Sequence, residues 1–121
     1  ANMLDNKKQL NALLEDPNFR RAFLADYVQE MLASQIRVIR EHRGLTQEQL
    51  GEAAEGMSQV QISRLENPDY SGATLNSLKR VAQALDVGLI IRYVPFSEFL
   101  DWVVNQSAER LVPPSFLEER D

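Results

Sequence analysis

Thr46-Gln47-Glu48-Gln49 and Ser58-Gln59-Val60-Gln61 start twelve residues apart and decide how the chain is read. Both fit the pattern S/T-x-x-E/Q. In it the hydroxyl accepts from the third helical N–H while the Gln or Glu side chain returns to the cap's own N–H. Two such starts, with Gly56 between them as a stop, predict two short helices, 46–55 and 58–67, joined by a tight turn. With Ile62 taken as inward, a rotation of 100° per residue turns Val60 and Arg64 nearly opposite, puts Gln61 and Ser63 on the flanks and buries Leu65. A face bathed only by solvent more often carries Glu or Lys. Gln59, Val60, Gln61, Ser63 and Arg64 instead suit a DNA groove: amide to adenine, valine to a thymine methyl, guanidinium to guanine or to phosphate. Capping competes for the Gln61 amide, and Ser58 and Thr46 are caps first.

Outward from this pair, the flanking chain reads as helix. Lys7 to Glu15 carries Leu10, Leu13 and Leu14 on one side. Asp16-Pro17 is an N-cap followed by a proline where no N–H is needed. From there Leu24, Val28, Leu32, Ile36 and Ile39 recur at the spacing of one helical face, which predicts a helix from about Pro17 to His42 whose one candidate break is Ala33-Ser34. Gly44 follows as a left-handed C′ residue. Asn67-Pro68 stops the second short helix. Thr74 caps another, running to about Leu85 and packed through Leu75, Leu78, Val81, Ala82 and Leu85.

Val87 to Val94 changes character: β-branched, apolar on both faces, ended by Pro95, it reads as a strand. No second strand-like run exists in the chain, and an unpaired ladder is costly. The expected partner is the same strand of a second copy across a two-fold axis. Leu89, Ile90, Ile91, Arg92, Tyr93 and Val94 are therefore the expected dimer interface, joined by Phe99 and Trp102 from a last helix capped by Ser97. The tail from Pro113 to Asp121 is expected to be loosely held.

A chain of 121 residues suffices for one core. It has no cysteine, which rules out disulfides and thiolate metal sites and suits a reducing cytoplasm. No run approaches the ~18 apolar residues of a membrane span. The start is not a signal peptide, and Ala1 and Asn2 read as a cloning remnant. The sole histidine, His42, sits at a helix end with no partners for a metal or catalytic site. No cluster offers acid–base or nucleophilic chemistry and no motif implies a cofactor, which predicts a protein that is not an enzyme. The net charge of −5 is unusual for a nucleic-acid binder. Its distribution softens the objection: residues 34–85 balance six basic groups against six acidic, whereas residues 86–121 carry three against seven.

Ile36-(x)3-Arg40, Gly44-Leu45-Thr46-Gln47-(x)2-Leu50 and Ser58-Gln59-(x)2-Ile62-Ser63-Arg64-Leu65-Glu66-Asn67 together resemble the Xre/Cro helix-turn-helix family, which includes phage repressors, bacterial regulators and antitoxins. The resemblance implies base contacts from Gln59, Val60 and Arg64, and backbone contacts from Gln47, Asn67 and the loop after it. It also implies a pairing of Arg40 with Glu66 across the core. With Thr46, Ser58 and Ser71, these complete the expected phosphate set. Two departures stand out. The interval from Leu50 to Gly56 is one residue longer than usual, implying a wider turn. The loop holds Asp69, Tyr70 and Ser71 where phage repressors often carry lysine or arginine.

The expected fold is an all-α, lambda-repressor-like bundle with a C-terminal strand and helix, the strand forming a two-stranded intersubunit ribbon. The expected division is an amino-terminal extension over 1–33, a DNA-binding domain over 34–86, a dimerisation segment over 87–106 and a tail over 107–121. The expected function is a cytoplasmic, homodimeric regulator of double-stranded DNA, a repressor on a pseudo-palindromic operator, with no membrane partner. The alternative is an antitoxin that neutralises a partner toxin, with DNA binding secondary.

Overall fold

The computed structural model describes residues 3–120, so the expectation about Ala1 and Asn2 falls outside it. The described residues form eight helices: α1 Met3–Leu13, α2 Pro17–His42, α3 Gln47–Ala53, α4 Gln59–Leu65, α5 Leu75–Leu85, α6 Phe96–Val104, α7 Ala108–Leu111 and α8 Phe116–Arg120. α2 runs unbroken through Ala33-Ser34. Its Asp16 cap accepts from the Asn18 N–H at 2.9 Å, and Gly44 (φ +68°) turns the chain out of its C-terminal end.

Two apolar clusters share α2 as their spine. The first joins Ile36 and Ile39 to Leu50, Met57, Ile62, Leu65, Val81 and Leu85, so that α3, α4 and α5 close around the second half of α2. Leu50, Ile62 and Leu85 are fully buried, the situation in which truncation to alanine costs about 2–5 kcal/mol. The second is aromatic. Phe19, Phe23 and Tyr27 stack one turn apart along the first half of α2, and Phe99 of α6 meets Phe23 and Tyr27 edge-on at 6.2 and 5.6 Å. α1 lies on α6, tied by an ion pair between Lys7 and Asp101.

Several expectations need correction. No residue among those described is in a β-strand, so the C-terminal strand and its intersubunit ribbon are not present. Residues 87–95 leave α5 and reach α6 without making a ladder, since the chain supplies no second run to pair with. Ser97 is not a cap. The Glu98 and Phe99 N–H groups both donate to the Pro95 carbonyl at 3.1 Å, so α6 begins before Ser97, behind Pro95. Leu75, expected inward, is 59% exposed. The tail is docked: Ser115 and Glu118 form their own reciprocal cap, and the Phe116 N–H donates to the Asp86 carbonyl at 2.9 Å. Ser115 is buried there, and Glu118 stands 3.7 Å from Arg43. Those Ser115 hydrogen bonds, backbone first, hold the Glu118 carboxyl below its ordinary range, with Arg43 and His42 adding to the effect.

Candidate nucleic-acid interface

Capping chemistry fixes where each of the two short helices begins. The Gln49 N–H donates to Thr46 Oγ1 at 3.0 Å, and the Thr46 N–H donates to Gln49 Oε1 at 2.9 Å. Ser58 and Gln61 repeat the exchange at 3.1 and 2.8 Å, so Gln61 Oε1 is occupied and its NH2 is left outward. The turn between the helices is made by two successive left-handed residues, Glu55 (φ 59°) and Gly56 (φ 77°). α3 accordingly ends at Ala53, two residues short of the expected boundary, and the extra length is absorbed in the turn. Gly51 lets α3 approach that turn: a Cβ there would lie 2.1 Å from the Met57 carbonyl oxygen.

α4 turns Ile62 and Leu65 into the core and leaves Gln59, Val60, Gln61, Ser63 and Arg64 exposed, Val60 by 52%. All five expected base-reading residues are thus exposed. Arg64 places its guanidinium carbon 6.0 Å over the Tyr70 ring, and that ring lies over Gly72, where any Cβ would meet its hydroxyl.

Behind the surface runs a hydrogen-bonded chain. Arg40 grips Glu66 through Nε at 2.6 Å and Nη2 at 2.9 Å, and donates from Nη1 to the Leu45 carbonyl at 2.8 Å. The Glu66 hydrogen bond raises the Arg40 pKa further, so the guanidinium stays charged. Gln47 donates to Glu66 Oε1 at 3.2 Å, and Gln59 in turn donates to Gln47 Oε1 at 2.6 Å. A buried ion pair thereby fixes the first side chain of α4 through the first side chain of α3. The sequence reading assigned Gln47 and Gln59 separate roles and missed this link. Its one signal is that each follows a cap directly.

Of the remaining expected phosphate contacts, Thr46, Ser58, Asn67 and Ser71 are exposed, and Asn67 Oδ1 already accepts from the Asp69 N–H at 2.9 Å. Gln29 of α2 donates to the Pro68 carbonyl and pins the same loop. The expected dimer residues are divided. Ile90, Ile91 and Tyr93 project outward, Arg92 pairs with Glu98 at 2.6 Å, and Leu89 and Val94 are half-buried. Phe99 is enclosed in the aromatic cluster, and Trp102 lies under Arg110 at 4.9 Å. Among the described residues no group of three or more His, Cys, Asp or Glu could hold a metal ion, and no helix is long and apolar enough to cross a membrane.

Residues 36–91 match the protein family described as helix-turn-helix, a span that runs from the second half of α2 through α5 into the extended segment. No curated protein and no solved structure matches the chain.

Proposed function

From the premise that residues 36–91 are a DNA-binding helix-turn-helix domain of the Xre/Cro regulator family, we propose that the chain is a sequence-specific repressor acting as a homodimer on a pseudo-palindromic operator. α4 of each copy enters one of two successive major grooves, about one helical turn apart. Gln59, Val60 and Arg64 read base edges, with Gln61 and Ser63 on the flanks. Thr46, Gln47, Ser58, Asn67 and Ser71 meet the backbone. The observation that carries this reading is Gln59, an exposed amide held in place by Gln47 and, behind it, by the Glu66–Arg40 pair. A side chain fixed before binding loses less freedom on contact, which favours specificity over bulk attraction.

Selection of bound sequences from random DNA tests the reading. Enrichment of a two-fold motif is expected. Arg64→Ala is expected to weaken binding to that motif by about tenfold or more at fixed salt, about 1.4 kcal/mol, within the range of one good base contact. Unchanged binding removes Arg64 from the groove. The acidic residues beyond 86 favour a second reading, an antitoxin that holds a toxin and binds DNA secondarily. Absence of any enriched sequence shifts the assignment to it.

A further inference from the structure

A large apolar concavity begins where α4 ends, at Leu65. It is a groove of about 730 Å³ between the middle of α2, the end of α4 with the loop after it, and residues 90–96. Leu24, Val28 and Leu32 form one wall, Ile91 and Phe96 the other, and Tyr70 closes one side. Its one charged lining residue, Arg92, is already paired with Glu98. Two of its polar ones are also engaged, Gln29 with Pro68 and Asn67 with Asp69. Nothing there calls for a charged or strongly hydrogen-bonding occupant. At the rim Ile90 is 86% exposed and Tyr93 fully exposed, a cost that a chain alone in water has no reason to carry.

We propose that this groove receives a second copy of the same chain, with Ile90 and Tyr93 of each copy seated against Leu24 and Val28 of the other. A two-fold interface must be self-complementary, and this face carries its projections and its hollow side by side. The exposed parts of Leu24, Val28, Ile90, Ile91 and Tyr93 alone offer roughly 500–650 Å² per copy, at about 150–200 Å² for each whole side chain. That is most of the ~800 Å² per partner of a standard stable interface. The arrangement is made by side chains. It draws on the α2 face, with Phe99 at the floor of the groove, and leaves out Trp102, which lies under Arg110. It also braces the loop bearing Asn67 and Ser71 from behind, so pairing fixes the spacing of the two α4 helices. In that last respect the inference rests on the two-half-site reading.

Sedimentation of the full chain without DNA tests it. The wild type is expected to be a dimer at micromolar concentration. Val28→Lys and Ile90→Glu change exposed or half-exposed positions and are each expected to raise the dimer dissociation constant at least about tenfold, with helical circular dichroism and melting retained. Mixed together, the two variants are expected to form a heterodimer, because the new lysine of one faces the new glutamate of the other. A monomeric wild type overturns the proposal, as does a Val28→Lys chain that stays dimeric or a mixture that fails to pair. A wild-type dimer that enriches no DNA sequence leaves this inference standing and removes the operator reading. A monomer that enriches a single half-site overturns this inference and the two-fold operator together, and leaves only base reading by α4.

Discussion

Replacing Glu66 by alanine tests the link between fold and reading surface most directly. The Glu66 side chain is 4% exposed and that of Arg40 13%, and together they make two charge-assisted hydrogen bonds at 2.6 and 2.9 Å. Without Glu66 the guanidinium keeps its bond to the Leu45 carbonyl and a 3.7 Å approach to exposed Glu41, and it cannot shed its charge. Stranding one partner of a buried pair costs about 3–5 kcal/mol. For a chain of this size each kcal/mol lowers the melting temperature by about 3–5 °C, so Glu66→Ala is expected to melt roughly 10–20 °C lower by circular dichroism at neutral pH. The double change Arg40→Leu with Glu66→Leu is expected to recover at least half of that loss, because it removes the stranded charge along with the pair. A loss below about 1 kcal/mol in Glu66→Ala refutes the reasoning, since the pair would then be no better than a surface bridge.

Two further outcomes follow from the same geometry. Gly51→Ala gains about 1 kcal/mol of helix propensity but sets a methyl 2.1 Å from the Met57 carbonyl oxygen, and a net loss of about 1–3 kcal/mol is expected on urea unfolding. A stabilised variant would show that the turn yields freely. The Glu118 carboxyl is held below its ordinary range when folded, so its contribution to tail docking is present at neutral pH and lost as pH falls below about 4, through the lowered value. Titration followed by NMR at the Ser115 and Glu118 amides is expected to give a midpoint below that of an ordinary glutamate, and a midpoint at or above it contradicts the cap.

What the sequence disclosed was the chemistry that acts over three or four residues. The caps at Asp16, Thr46, Ser58 and Thr74, the stop at Gly44 and the inward turn of Ile62 and Leu65 were all legible, because each is decided by neighbours on the same helix. The segment 87–94 misled because a β-branched run states only a preference for extension, while a strand also requires a partner. The tail was misread for a different reason. Ser115-Phe116-Leu117-Glu118 carries the same S/T-x-x-E/Q signature as the two central caps, but its place at the chain end made the stretch read as loosely held. The Gln47–Gln59 contact and the groove along α2 were out of reach. Both depend on distances between helices that no periodicity within one helix encodes.

The chain's charge bears on how it can hold DNA. Of the six basic groups between residues 34 and 85, three are already committed to backbone carbonyls at or just after helix ends: Arg40 to Leu45, Arg43 to Leu85, and Arg80 to Ala54 and Glu55. Carbonyls at the end of a helix have no partner within it, and these arginines supply one. Arg37, Arg64 and Lys79 are exposed and form no ion pair among the described residues. If these three cations of residues 34–85 alone meet phosphate, a dimer makes at most about six such contacts, and the logarithm of affinity should fall with the logarithm of salt no more steeply than about −5. A markedly steeper slope would mean that the helix-end arginines let go of their partners, or that basic groups outside residues 34–85 reach DNA as well. A shallow slope combined with a strong loss in Arg64→Ala would locate the discrimination in the exposed face of α4.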